Sequence, residues 1–106
     1  MPSIRQGNQP LTLINVFTVE PARQKELAAL LEQATLDTMR KLDGFVSASI
    51  HRSLDGKRVI NYAQWRDQAA FESMQRVPQA QVHMKAAAAL ASFDPILCEV
   101  ASVTDR

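Results

Sequence analysis

Two runs rich in β-formers, "FVSASIHRSL" and "KRVINYAQWR", flank Asp55-Gly56, the strongest short-range hairpin signal a sequence can carry. An isolated hairpin cannot close a core, so its neighbours decide the fold. Upstream, "LTLINVFTV" (11–19) reads as a strand broken at Glu20-Pro21. Then "ARQKELAALLEQATLDTMRKL" sets Leu27, Leu30, Leu31, Ala34 and Thr38 or Met39 at three/four spacing up to Gly44, the pattern of an amphipathic helix with Pro near its start and Gly at its stop. Downstream, Asp67 caps a second helical region over "QAAFESMQR", and Pro78 restarts it. The pattern predicts that "AQVHMKAAAALASF" continues helical to Asp94-Pro95, and that "ILCEVASVT" is the last strand. The order β-α-β-β-α-β predicts an α+β, ferredoxin-like split arrangement.

A chain of 106 residues with one cysteine, Cys98, is long enough to bury a core without disulfide or metal staples. Residues 11–106 are expected to form one domain behind a loose polar tail, residues 1–10. The formal net charge is +1, with no basic run, which removes the electrostatic footprint of a nucleic-acid or anionic-membrane binder. There is no long apolar span and no apolar leader at "MPSIRQGNQP", and a cytoplasmic protein is expected. Helices on one face of a four-stranded antiparallel sheet leave the other face uncovered. A homodimer, sheet against sheet, is the simplest cover.

Side chains alternate along a strand, so Val59, Asn61, Ala63 and Trp65 share one face. What joins them depends on the hairpin register. A two-residue Asp55-Gly56 turn pairs Asn61 with Ile50; a three-residue Leu54-Asp55-Gly56 loop, with Gly56 left-handed, pairs Asn61 with Ser49 and Ile60 with Ile50. The second matches like with like and is the expected register, and it puts Phe45, Ser47, Ser49 and His51 on the Asn61 face. In the first strand Leu13, Asn15, Phe17 and Val19 form the odd set. If that set faces the helices, Asn15, His51, Asn61 and Trp65 converge in one cavity. Its expected walls are Phe17, Phe45, Phe71, Met74, Met84, Leu90 and Phe93: an apolar, aromatic site with a few convergent polar groups, as small-molecule sites are.

The stretch "GFVSASIHRSLDGKRVINYAQWRDQAAFESM" and the helix "HMKAAAALA" resemble the antibiotic biosynthesis monooxygenase (ABM) family of dimeric α+β barrels. The likeness runs over roughly residues 11–103 and is nearest to the oxygenases that convert anthrone-type phenols to quinones with dioxygen. The resemblance implies an enzyme that uses no cofactor and no metal, with a small aromatic substrate and dioxygen as its partners. It also implies that Asn61 and Trp65, within "NYAQW", bind substrate and take part in catalysis, with Asn15 as a further functional asparagine. His51 is a candidate base, histidine being the side-chain type that titrates near neutral pH. Where some relatives carry a tyrosine six residues beyond the tryptophan, this chain has Phe71. Lys85 is expected to be a surface lysine.

Two alternatives remain open. Haem-degrading relatives hold haem through a histidine on the second helical region, near His83; their helical tryptophan falls near Met74, and their first-strand asparagine lies one residue out of register with Asn15. A barrel that only binds an aromatic metabolite is the other. Three glycines form no phosphate-cradling loop, and neither metal-ligand spacing nor a nucleophile triad is present.

Overall fold

The computed structural model describes residues 2–106. Four strands and three helices follow one another as β1 (Gly7–Val19), α1 (Gln24–Asp37), β2 (Phe45–Arg52), β3 (Arg58–Trp65), α2 (Gln68–Gln75), α3 (Pro78–Leu90) and β4 (Ala91–Val100). The strands form one antiparallel sheet in the order β2-β3-β1-β4, the ferredoxin-like arrangement expected from the sequence. Local chemistry places the helices. Asp67 accepts the Ala70 amide at 2.8 Å and caps α2, Pro78 opens α3 with its preset φ, and a single 3₁₀ turn at Pro21–Arg23 leads into α1.

Element boundaries differ from the sequence reading at both ends of the sheet. β1 starts at Gly7, so residues 7–10 belong to the sheet rather than to a tail. The Ser3 carbonyl accepts a hydrogen bond from Gln64 Nε2 at 2.7 Å, tying the N-terminal segment to β3. At the other end α3 stops at Leu90, and residues 91–95 are strand instead of helix. Alanine-rich sequence favours helix without marking where it ends; here pairing to β1 ends it, through Ala91 opposite Val19 and Phe93 opposite Phe17. Pro95 is accommodated because β4 is an edge strand.

The hairpin takes the other register. Ser53 closes on Arg58, its amide donating to the Arg58 carbonyl at 3.0 Å, and Gly56 N donates to the Ser53 carbonyl at 3.1 Å. Gly56 is left-handed, with φ 81°, but the loop spans Leu54 to Lys57, so Ile50 sits opposite Asn61 and His51 opposite Ile60. A contact distant in sequence holds this choice: the buried Gln24 amide donates to both the Ser53 and Arg58 carbonyls at 2.9 Å. Val46 is then the extra residue of a bulge, between the Phe45–Trp65 and Ser47–Gln64 pairs. The bulge changes the phase of β2. Phe45, Ala48 and Ile50 point to the helices, whereas Ser47, Ser49 and His51 lie on the outer face.

Inside, the core falls into two clusters. Leu11, Leu13, Ala63, Trp65, Ala70, Phe71, Met74 and Ala80 form one; Phe17, Val19, Leu27, Val59 and Ala87 form the other. The seam between them crosses β1 and β3 where Asn15 is paired with Asn61.

Candidate active site

A cavity of about 100 Å³ occupies that seam, between the sheet and all three helices. Asn15 lies between Leu13 and Phe17 on its strand, and Asn61 between Val59 and Ala63. The two carboxamides therefore stand side by side among residues that would otherwise make one continuous apolar core. Both Asn15 Oδ1 and Asn61 Oδ1 are shut off from solvent and have no hydrogen-bond partner in the chain. A buried polar atom left this way costs about 1–3 kcal/mol, and such atoms are few in native proteins and call for an explanation. Rotation of a carboxamide exchanges its oxygen and nitrogen, so each side chain can offer either an acceptor or a donor pair. Thr12 Oγ1 is a third unpartnered atom, but it lies on the opposite face of the sheet, away from the cavity.

Trp65 is 2 % exposed and closes one end of the cavity. Its indole is held edge-on by Phe45, at 5.4 Å and 88°, and by Phe71, at 6.4 Å and 69°, arrangements that fix an aromatic ring as well as bury it. Phe93 contributes at the other end and packs on Phe17 at 5.6 Å.

Of the residues singled out in the sequence, Asn15, Asn61, Trp65, Phe17, Phe45, Phe71, Met74, Met84 and Phe93 are brought together around this space. Two are not. His51 lies exposed on the outer face, 3.0 Å from Ser49 Oγ, because the four-residue loop reverses the facing of that part of β2. Leu90 is packed with the Phe17, Leu27 and Val59 cluster, outside the cavity lining. Lys85 is exposed, as expected of a surface lysine.

Sequence reasoning left out Met39, Thr35 and Gln75, and weighed His83 only as a haem ligand; all four line the cavity. His83 is half-buried on α3, its Nε2 3.0 Å from Thr38 Oγ just beyond the end of α1. Only the crossing of α1 over α3 brings these two together, and no local spacing announces it. Among the described residues no group of three His, Cys, Asp or Glu side chains comes together as a metal site would require. The shifted carboxylates lie on the surface. The Arg66 guanidinium, 3.1 Å from both Asp43 oxygens, holds the Asp43 carboxyl below its ordinary range, and the Ser53 hydroxyl with the Lys57 amide does the same for Asp55.

The fold has counterparts among known proteins. Residues 10–86 match the family profile described as antibiotic biosynthesis monooxygenase. Over 100 residues the chain is 44% identical to tetracenomycin-F1 monooxygenase of Streptomyces glaucescens, covering 94% of this chain and 89% of that protein. Among solved structures, SnoaB of Streptomyces nogalater, a cofactor-independent oxygenase, superposes with a TM-score of 0.79 at 26% identity, over 92% of this chain and 99% of SnoaB. A monooxygenase from the gene ActVA-Orf6 of Streptomyces coelicolor, in complex with nanaomycin D, superposes with a TM-score of 0.84 at 25% identity, over 92% and 93% of the two chains. No helix among the described residues is long and apolar enough to cross a membrane. Profile, identity and fold agree over most of the chain: it belongs to the antibiotic biosynthesis monooxygenase family and is a monooxygenase of that type.

Proposed function

We propose that the protein oxidises a polycyclic aromatic phenol of the anthrone type to the corresponding quinone with dioxygen, without a bound cofactor, in the biosynthesis of an aromatic polyketide. The observation that carries the proposal is the Asn15–Asn61 pair, whose two buried oxygens find no partner within the chain at the one place where the core is interrupted. Apolar side chains there would join the two clusters. Carboxamides are suited instead to a ligand that is apolar and flat yet carries phenolic and carbonyl oxygens at its rim. The relatives support this chemistry: one is a tetracenomycin-F1 monooxygenase, one is described as cofactor-independent, and one holds nanaomycin D.

An electron-rich anthrone needs little from the protein once deprotonated. The anion passes one electron to dioxygen, the resulting radical and superoxide combine at carbon, and the hydroperoxide loses water to leave the carbonyl. The balance is CH₂ + O₂ → C=O + H₂O. The chain's part is to exclude water and to place donors at the developing oxyanion, where neutral N–H groups in a dry site act without reorganisation. Asn61, Asn15 and Trp65 are those groups. The present cavity, about 100 Å³, is smaller than the roughly 300–1,000 Å³ of pockets that bury drug-sized ligands. Entry of the substrate therefore displaces wall residues, and Met39, Met74 and Met84 are flexible enough to yield without losing apolar contact.

The outer face of the sheet, carrying Ile14, Val16, Ile60, Tyr62 and the 43 % exposed Ile96, is covered in this reading by a second copy of the chain. Oxygen uptake with dithranol as substrate, in the absence of flavin, haem and added metal, tests the activity. Wild type is expected to consume oxygen, with Asn61→Ala and Trp65→Phe slower by about a hundredfold or more for a lost oxyanion donor. Uptake unchanged in both variants would falsify the site. A Soret band on adding hemin to the purified protein would favour haem chemistry instead.

A further inference from the structure

The reaction proposed above begins with removal of a proton from the substrate, and a general base has to lie within hydrogen-bond reach of that proton, directly or through one water. Carboxamides are not Brønsted bases, which leaves Asn15 and Asn61 unable to take it. The wall from α1 is Leu31, Ala34 and Thr35, and that from α2 is Phe71, Met74 and Gln75; neither ionises, nor does any residue the sheet contributes. Among the described residues His83, from α3, is the one titratable side chain lining the cavity. We propose that His83 is the proton-transfer residue of this site, with Thr38 as the residue that positions its ring.

The contact with Thr38 decides which nitrogen is available. When Nε2–H donates to Thr38 Oγ, across the observed 3.0 Å, the basic lone pair is on Nδ1. The same bond persists, and strengthens, when Nδ1 takes a proton and the ring becomes imidazolium. A tautomer held from outside the cavity and a base left free on the other nitrogen is the usual arrangement of a working histidine. The proton bookkeeping then closes on one group. His83 takes the first proton as the substrate anion forms and returns it to the peroxide anion after oxygen addition. It then takes the remaining C–H proton as the O–O bond breaks, and hydroxide leaves with that proton as water. The carbon is oxidised, dioxygen is reduced, and the imidazole ends as it began.

This assignment rests on the function proposed above, and a binding measurement separates the two. The hydroxyanthraquinone alizarin, whose visible band reports its ionisation, is titrated under anaerobic conditions with wild type, His83→Gln and Thr38→Val, and dithranol oxidation by the same proteins is followed separately in air-saturated buffer across pH. Wild type is expected to bind the dye as its phenolate at a pH where the free dye is neutral, and His83→Gln to bind it as the neutral phenol. Turnover of His83→Gln should fall by about a hundredfold or more, the range for a lost general base. KM should change little, and the acid limb of the wild-type rate profile should disappear. Thr38→Val should keep the limb at reduced kcat. His83→Gln ionising the dye as wild type does, or loss of the acid limb in His51→Gln, the chain's other histidine, would overturn the assignment while leaving the activity in place. A wild type that binds no dye and consumes no oxygen would overturn both.

Discussion

Asn61→Leu exchanges a carboxamide for an apolar side chain of similar size at the point where the two core clusters meet. In the wild type Asn61 Oδ1 is buried without a partner, flanked by Val59 and Ala63, which are 0 % and 2 % exposed. Removing an unsatisfied buried acceptor recovers about 1–3 kcal/mol, and leucine adds apolar contact with both clusters. A gain of 1 kcal/mol raises Tm by about 4–8 °C in a domain of this size, so the variant should melt at least about 4 °C above the wild type by far-UV circular dichroism. Its dithranol oxidation, read at an oxygen electrode, should meanwhile fall by about a hundredfold or more. Binding follows the same division: a saturating hydroxyanthraquinone should raise the wild-type Tm by mass action and leave the variant's unchanged. A variant that melts below the wild type and still turns over would refute the reasoning, because Asn61 would then be a satisfied structural residue.

Gly44→Ala should lower the urea midpoint by the equivalent of about 2 kcal/mol or more, since Gly44 has φ 86° and an added Cβ would run into Ala70 on α2; an unchanged midpoint would mean that α2 shifts at no cost. The Asp43 carboxyl is held below its ordinary value of 3.8 by Arg66. Its contribution to stability is therefore present above that value and lost as pH falls through the lower, folded one. Asp43→Asn should flatten the acid side of the stability–pH curve, by a small amount because the pair is exposed, and urea melts across that range would read it. Ile96→Asp should leave the fold intact, with Ile96 43 % exposed in the single chain, and convert a dimer to a monomer in sedimentation velocity. A wild type that already sediments as a monomer would remove the sheet-against-sheet assembly.

Much of the site was legible because it depends on spacing of two along a strand. Asn61 and Trp65, four residues apart on β3, face one way under any pairing, and Asn15 with Phe17 follows the same rule on β1. His51 was misplaced because Asp55-Gly56 is compatible with more than one loop length, and the loops differ in register by one residue. The observed loop is fastened locally by Ser53 and Asp55, which bond to each other and to the Arg58 and Lys57 amides, and from a distance by Gln24, which bridges the Ser53 and Arg58 carbonyls from the start of α1. The bulge at Val46 then restores Phe45, though not Ser47, Ser49 or His51, to the cavity side. Leu90 was misassigned for a related reason, since an alanine-rich helix shows no strong period by which to aim its long side chains.

The chain's sequence by itself determined the element order, the hairpin and the shared facing of Asn61 and Trp65, because helix and strand periodicity are set by backbone geometry within a few residues. Only the tertiary structure decided that Asn15 stands opposite Asn61, that their oxygens go unpartnered in a cavity between two clusters, and that His83 meets Thr38 beside it. Those facts depend on strand register and on one helix crossing another, and both are settled by contacts between residues far apart in the chain.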